Sequence, residues 1–179
     1  MNFYQRANLS MGLAVILGLQ LAITTWLNTH PEVNLKSLIE LWDETVWIAF
    51  QFIFRLKITI EDHQHFAASG ELKEKWIFVD FLCFSISSFL LVIAAVFSFR
   101  YSVSSAFFIA ALAVATLWLF VHNTKRRWQW FGFNLVYVGL LGLAISGKME
   151  IWAVNLALFV VLVFDFLLSK TAQQMPSRS

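Results

Sequence analysis

Long apolar stretches dominate the chain, and the polar positions gather between them. Leu9–Leu27 is the first such run. Trp76–Phe99 is the second, broken by Asp80 and by serines. Val103–His122, Trp130–Ser146 and Ile151–Leu168 follow, the last with Asp165 near its end. Each lies near the ~20 residues that an α-helix needs to cross a bilayer core. The second and third runs are joined through Arg100-Tyr101-Ser102, and the fourth and fifth through Gly147-Lys148-Met149-Glu150. Links this short place consecutive helices side by side and antiparallel, which predicts an up-and-down bundle.

The stretch from Thr29 to Lys75 carries a different pattern. Over Leu35–Phe50 the apolar residues Leu38, Leu41, Trp42, Val46, Ala49 and Phe50 recur at helical spacing around Glu40, Asp43 and Glu44, which predicts an amphipathic helix at an interface. Over 51–61 the pattern alternates. Phe52, Phe54, Leu56, Ile58 and Ile60 are apolar, while Arg55, Lys57, Thr59 and Glu61 are polar, which favours a strand or an edge lying on the bundle. Val46–Ile60 as a tilted, re-entrant or sixth spanning helix is the alternative. The polar tail 169–179 reads as flexible. The expected fold is therefore an all-α polytopic membrane helix bundle. It has five transmembrane helices (six in the alternative) and an interfacial segment between the first two long runs, all in one integral membrane domain.

Composition changes the picture only by strengthening it. Hydrophobic residues make up 59% and charged residues 13% of the 179 positions, whereas soluble domains carry about 25% charge. Trp26, Trp76, Trp118, Trp128, Trp130 and Trp152 fall near the ends of apolar runs, where an interfacial aromatic belt would place them. Arg6 precedes the first run, which is long for a signal peptide and lacks a small-residue cleavage site, so it reads as an uncleaved span. A net charge of +2 argues against nucleic-acid binding. The lone Cys83 can form no internal disulfide.

Basic residues give an orientation. With Lys125-Arg126-Arg127 inside, five spans place Lys36, Arg55, Lys57, Lys73, Lys75, Lys170 and Arg178 on the same side, against Arg6, Arg100 and Lys148 outside, which is 10 to 3. Six spans exchange Arg6 with Lys36 and leave the tally unchanged. The cost of Arg55 and Lys57 inside a membrane, about 2.5–3.5 kcal/mol each at a helix centre, favours five. The expected location is a bacterial inner membrane with a cytoplasmic C-terminus. The bilayer is the first partner, and other membrane proteins or further copies of the chain are candidates after it.

Ionisable residues within apolar runs are costly and mark candidate sites. Asp80, His122, Asn134 and Asp165 come from four different runs and fall at similar depth on the side of the basic turn. Lys125, Arg126 and Arg127 are the candidate headgroup contacts beyond them. Pairing of the two aspartates with nearby lysines and arginines is the structural alternative. Glu61, Asp62, His63 and His65 offer four metal-ligand types in five residues, although an H-x-H spacing separates its two rings on a helix or a strand. Asn155 and Gln20 read as interhelical hydrogen-bonding residues. Ala106, Ala110, Ala111, Ala113 and Ala115, with Gly132, Gly139 and Gly142, offer small-residue packing positions. No phosphate loop, HExxH, G-x-S-x-G or paired haem histidines are present, so neither a cofactor nor a catalytic residue is expected.

Lys125-Arg126-Arg127, Trp130, Asn134 and Gly147 stand in an arrangement that resembles the last spans of nicotinamide-riboside uptake transporters. The resemblance covers under a third of the chain, from about residue 115 to 170, and has no counterpart in the first half. It implies small-solute transport. The residues alone favour a non-enzymatic membrane component acting through membrane partners. A small-solute transporter or channel with a cytoplasm-facing polar site, and a metal-dependent membrane enzyme or redox subunit, are the alternatives.

Overall fold

A computed structural model of the chain describes residues 3–31, 41–68, 77–121 and 127–168. The described residues form six α-helices and no strand: α1 Phe3–Thr29, α2 Trp42–Ala68, α3 Ile77–Val96, α4 Tyr101–Val121, α5 Arg127–Ile145 and α6 Ile151–Leu168. Five of them overlie the apolar runs. Four are long and apolar enough to cross a membrane: α1 over Arg6–Thr29, α4 over Tyr101–Leu119, α5 over Trp128–Ile145 and α6 over Ile151–Leu168. The apolar part of α3, Phe81–Val96, is shorter.

The helices close into a ring. α1 packs on α2 and α3, α3 on α4, α4 on α5, α5 on α6, and α6 returns to α2. Successive helices alternate in direction, so α1, α3 and α5 begin at one end of the bundle, here called the base, where α2, α4 and α6 finish. The opposite end is the crown. Short connections set this alternation. At the crown, α5 stops at a glycine: Gly147 has φ 68°, its N–H donates to the Ala144 carbonyl and the Lys148 N–H to the Leu143 carbonyl, both at 3.0 Å. This double bond pattern ends a helix where only a residue tolerant of positive φ fits.

Helix α2 overturns two expectations. The interfacial helix over 35–50 and the strand over 51–61 are instead one helix of 27 residues from Trp42, roughly 40 Å long. Residues 32–40 lie outside the described residues. Far from lying on the bundle surface, α2 is a member of the ring, and Trp47 and Phe50 are 0% exposed. The reason is legible in which residues face where. Phe52, Ile53, Leu56 and Ile60 face outward, while Gln51, Phe54, Arg55 and Lys57 are buried. With apolar residues on both the inner and the outer face, Phe54 and Ile58 join Phe52, Leu56 and Ile60 in an apparent period of two.

The centre of the ring is filled by aromatic rings. Phe54 lies 4.9 Å from Phe108 and 5.2 Å from Tyr137, centroid to centroid. Trp47 stacks on Phe50 at 5.5 Å and meets Phe108 edge-on at 5.4 Å. Such pairs contribute about 0.5–1.5 kcal/mol each beyond their burial.

Close helix approach occurs where it was not expected. A Cβ on Gly18 would stand 3.2 Å from the Ala95 Cβ and 3.3 Å from the Val92 carbonyl oxygen, so α1 and α3 meet backbone to backbone there. By contrast, Gly132, Gly139 and Gly142 on α5 face open space. Of the α4 alanines, Ala111 is buried while Ala106 and Ala113 are exposed.

Candidate functional site

Two layers of polar side chains cross the interior, one toward each end. The hydrogen bonds of the crown layer join uncharged groups. The Trp47 indole N–H donates to Ser104 Oγ at 2.9 Å and Gln51 Nε2 to Ser98 Oγ at 3.0 Å. The two hydroxyls in turn donate to the carbonyls of Ala94 (2.7 Å) and Ala95 (2.6 Å). These bonds staple α2 to the turn between α3 and α4. Alongside, Asn155 Nδ2 donates to the Asp43 carbonyl at 3.0 Å, and the Tyr101 hydroxyl donates to Asn155 Oδ1 at 3.3 Å. Asn155 therefore is an interhelical hydrogen-bonding residue, whereas Gln20 is exposed on the outer face of α1.

The base layer is charged. Lys57 Nζ stands 2.7 Å from Glu61 Oε2, one helical turn on, and 2.9 Å from Asp165 Oδ2 of α6. The same Asp165 oxygen accepts a hydrogen bond from the Tyr137 hydroxyl of α5 at 3.2 Å. Lys57 and Asp165 are 4% and 3% exposed, which makes this an ion pair of the interior. On the other flank of α2, Arg55 Nη2 donates to Asn8 Oδ1 at 3.2 Å, and Asn8 Nδ2 donates to the Thr59 carbonyl at 2.9 Å. Arg55 also lies over Gly12 of α1, 4.0 Å from where a Cβ would be. The first atom such a Cβ would meet is Thr59 Oγ1, at 3.1 Å, so the missing side chain leaves room chiefly for Thr59 of α2.

A cavity of about 100 Å³ borders this layer. Arg55, Lys57, Glu61 and Asp165 give it charge. Asn134, Ser87 and Ser88 add neutral polar groups, and Phe54, Phe84, Trp118, Trp130 and Phe133 supply aromatic walls. A buried water needs roughly 10–15 Å³ in this measure, so the space holds several waters or one small solute. Asn134 is held toward it by donating to Thr116 Oγ1 at 3.1 Å, and Ser87 donates to the Ala111 carbonyl at 3.1 Å.

Of the residues singled out from the sequence, Asp165 and Asn134 line the same cavity. Asp80 lies on α3 with its side chain outside the described residues, and His122, Lys125 and Arg126 also lie outside them. Arg127 opens α5, its side chain likewise undescribed. Among the metal candidates, Glu61 is engaged with Lys57 inside the bundle. Asp62, His63 and His65 continue α2 with undescribed side chains. No cluster of three or more metal-ligating side chains occurs among the described residues. Trp118 is 8% exposed and faces the cavity rather than an outer aromatic belt, whereas Trp128 and Trp152 face outward.

Sequence reading missed Lys57, Arg55 and Asn8. A signal was present: Trp47, Phe50, Phe54, Lys57 and Glu61 recur at steps of three and four, the spacing of one helix face. No family model matches the chain, and no curated protein or solved structure is similar to it.

Proposed function

We propose that the chain is an integral membrane protein that binds and moves a small charged solute through the cavity of the base layer. The lipid setting is supported by the outer faces of the ring. Leu13, Leu17 and Leu21 of α1, Leu135 of α5, and Leu156, Val163 and Phe164 of α6 are all exposed, an apolar exterior far beyond what soluble monomers show. In this reading all six helices cross the bilayer, and the charge cost that favoured five spans falls away because Arg55 and Lys57 point inward and are partnered. The start of α1, the end of α6 and the link from α4 to α5 then share the base side, which basic residues assign to the cytoplasm.

One observation carries the solute reading: the Lys57–Asp165 pair lies beside a cavity rather than in packed apolar surroundings. A buried ion pair is a weak source of stability, because removing two charges from water offsets most of their attraction. Ionisable groups inside membranes mark solute, ion and proton paths. A role through protein partners, expected from the sequence, has no comparable geometric support.

Accessibility tests the reading. With Cys83→Ser as background, Asn134→Cys and Ser87→Cys are exposed to a charged, membrane-impermeant thiosulfonate on each side of sealed vesicles. Both are expected to react from the side of the basic turn, while Leu158→Cys, buried in the core, stays unmodified. Failure of both cavity positions to react from either side overturns the proposal.

A further inference from the structure

Resting on the membrane setting proposed above, and on no property of the cavity, we infer that the outer face of α1 is the contact surface for a second copy of this chain. Two α1 helices pair in parallel, and Gln20 bonds to its counterpart in the other copy. Helix α1 carries two stripes at one spacing. Asn8, Gly12, Val15, Leu19 and Ala22 recur at steps of four and three and are all buried. This stripe meets the ring, where Asn8 bonds to Arg55 and Thr59 of α2. Ser10, Leu13, Leu17, Gln20, Thr24 and Leu27 repeat the same steps about half a turn round the helix and are all exposed. Leu13 and Leu17 are 61% and 62% exposed. Alternating steps of three and four form the seam of a left-handed helix pair, the usual hand of helix packing in membranes.

Gln20 decides what covers the outer stripe. The apolar span of α1 is the 24 residues Arg6–Thr29, and at ~1.5 Å per residue Gln20 sits about 4 Å from its midpoint. Its side chain faces outward and has no hydrogen-bond partner among the described residues. Lipid tails satisfy leucines as well as a protein would, but they offer an amide nothing, and a polar group without a partner at that depth is costly. A second copy supplies the partner with no further requirement. Basic residues insert every copy the same way round, so two α1 helices meet in parallel. A two-fold axis along the membrane normal then sets each stripe residue opposite itself. An amide suits that position because it both donates and accepts, and the leucines pack against leucines. One polar residue in an apolar seam also fixes register, since a slip of one turn leaves both amides facing lipid. Arg6, next in the spacing, falls at the base end of the span, where its long side chain reaches headgroups and water. None of the described residues lining the cavity belongs to α1, so the pair uses a surface that the solute reading does not.

Cysteine crosslinking in native membranes is the direct measurement, with Cys83→Ser as background and copper phenanthroline as oxidant. Leu13→Cys, Leu17→Cys and Thr24→Cys are expected to give a product that migrates as two chains. Leu21→Cys, exposed on α1 but off the stripe, and Leu135→Cys, exposed on α5, are expected to give little. Energy transfer between chains labelled at Leu135→Cys, followed as the vesicles are diluted with lipid, gives the strength of pairing. Gln20→Leu is expected to weaken it about 3- to 30-fold, the size of one or two hydrogen bonds between membrane helices. Gln20→Asn, which keeps an amide, should retain much of it. Gln20 has no partner in its own chain, so neither variant disturbs the ring. The inference is overturned if the stripe cysteines join no better than the two controls, or if Gln20→Leu pairs as tightly as the native chain. A crosslinked product of any mass other than two chains gives the face to a different protein and overturns it too. Carbonate washing separates its failure from that of the membrane setting. A chain that stays in the membrane but does not crosslink loses only the pairing, whereas a chain that carbonate releases loses both.

Discussion

The two polar layers of the ring rest on the same helix and solve opposite problems. In the crown layer, Trp47 and Gln51 of α2 reach hydroxyls that pass their hydrogens to helix carbonyls. The chain of bonds is complete, neutral and closely packed against Tyr101 and Phe108. In the base layer, Lys57, Glu61 and Asp165 form charged contacts beside open space. Neutral groups with fixed partners hold helices in register. Charges beside a void can exchange partners. α2 therefore acts as a fastener at one end and as the wall of a cavity at the other.

The sharpest way to break this contrast is to remove one member of the charged pair. Asp165→Leu is expected to destabilise the protein by up to about 3 kcal/mol, the low end of the cost of breaking a buried pair, because Lys57 keeps Glu61. Lys57→Met and Glu61→Gln combined with Asp165→Leu should recover most of that loss, since replacement of a whole buried ion cluster by uncharged residues is near neutral. Unfolding in mixed micelles measures both, and a triple variant as unstable as the single one would contradict the view that the cluster serves something other than stability. Tyr137→Phe removes a bond to a charged acceptor and should cost about 1.5–3 kcal/mol in the same assay.

Two smaller effects sharpen the crown side. Gly18→Ala places a methyl against Ala95 and the Val92 carbonyl, at a cost of about 1–3 kcal/mol from overpacking. It acts on the stretch of α3 whose carbonyls accept the serine hydroxyls, and a crosslink between α1 and α3 should form less readily. Gln51→Leu should cost only about 0.5–1.5 kcal/mol, because Ser98 and Ser104 keep their carbonyl partners. It should leave the thiosulfonate reaction of Asn134→Cys intact. Loss of that reaction would show that the two layers are not independent.

Much of this architecture can be read from the sequence, and the parts that cannot share one physical cause. Five helices are visible as apolar runs because outward-facing and core-facing residues are both apolar there. Asp165 and Asn134 are visible because they interrupt such runs. α2 is obscured for the reverse reason. Its polar residues point inward and its apolar residues, Phe52, Ile53, Leu56 and Ile60, point outward. Judged by the rules for water, that helix looks amphipathic and peripheral. A helix whose outer neighbour is lipid can reverse the usual arrangement, and then Arg55 and Lys57 mark the interior rather than a loop. The partners Asn8 and Asp165 lie 47 and 108 positions away from them, beyond the reach of any local pattern. Gly18 was overlooked because small-residue spacing was sought on the alanines of α4 and the glycines of α5, and the latter border nothing among the described residues.

The closed ring has a consequence for how the protein is made. As the nascent chain leaves the ribosome, Arg55 meets its partner at once, because Asn8 on α1 has already been synthesised. Lys57 has Glu61 on its own helix but must wait for Asp165, which is supplied by α6. Until α6 packs, the ring has a gap between α2 and α5, with a half-neutralised ammonium at its edge. Helix α6 is thus a keystone, and a chain truncated before it should be recognised by cellular quality control and degraded.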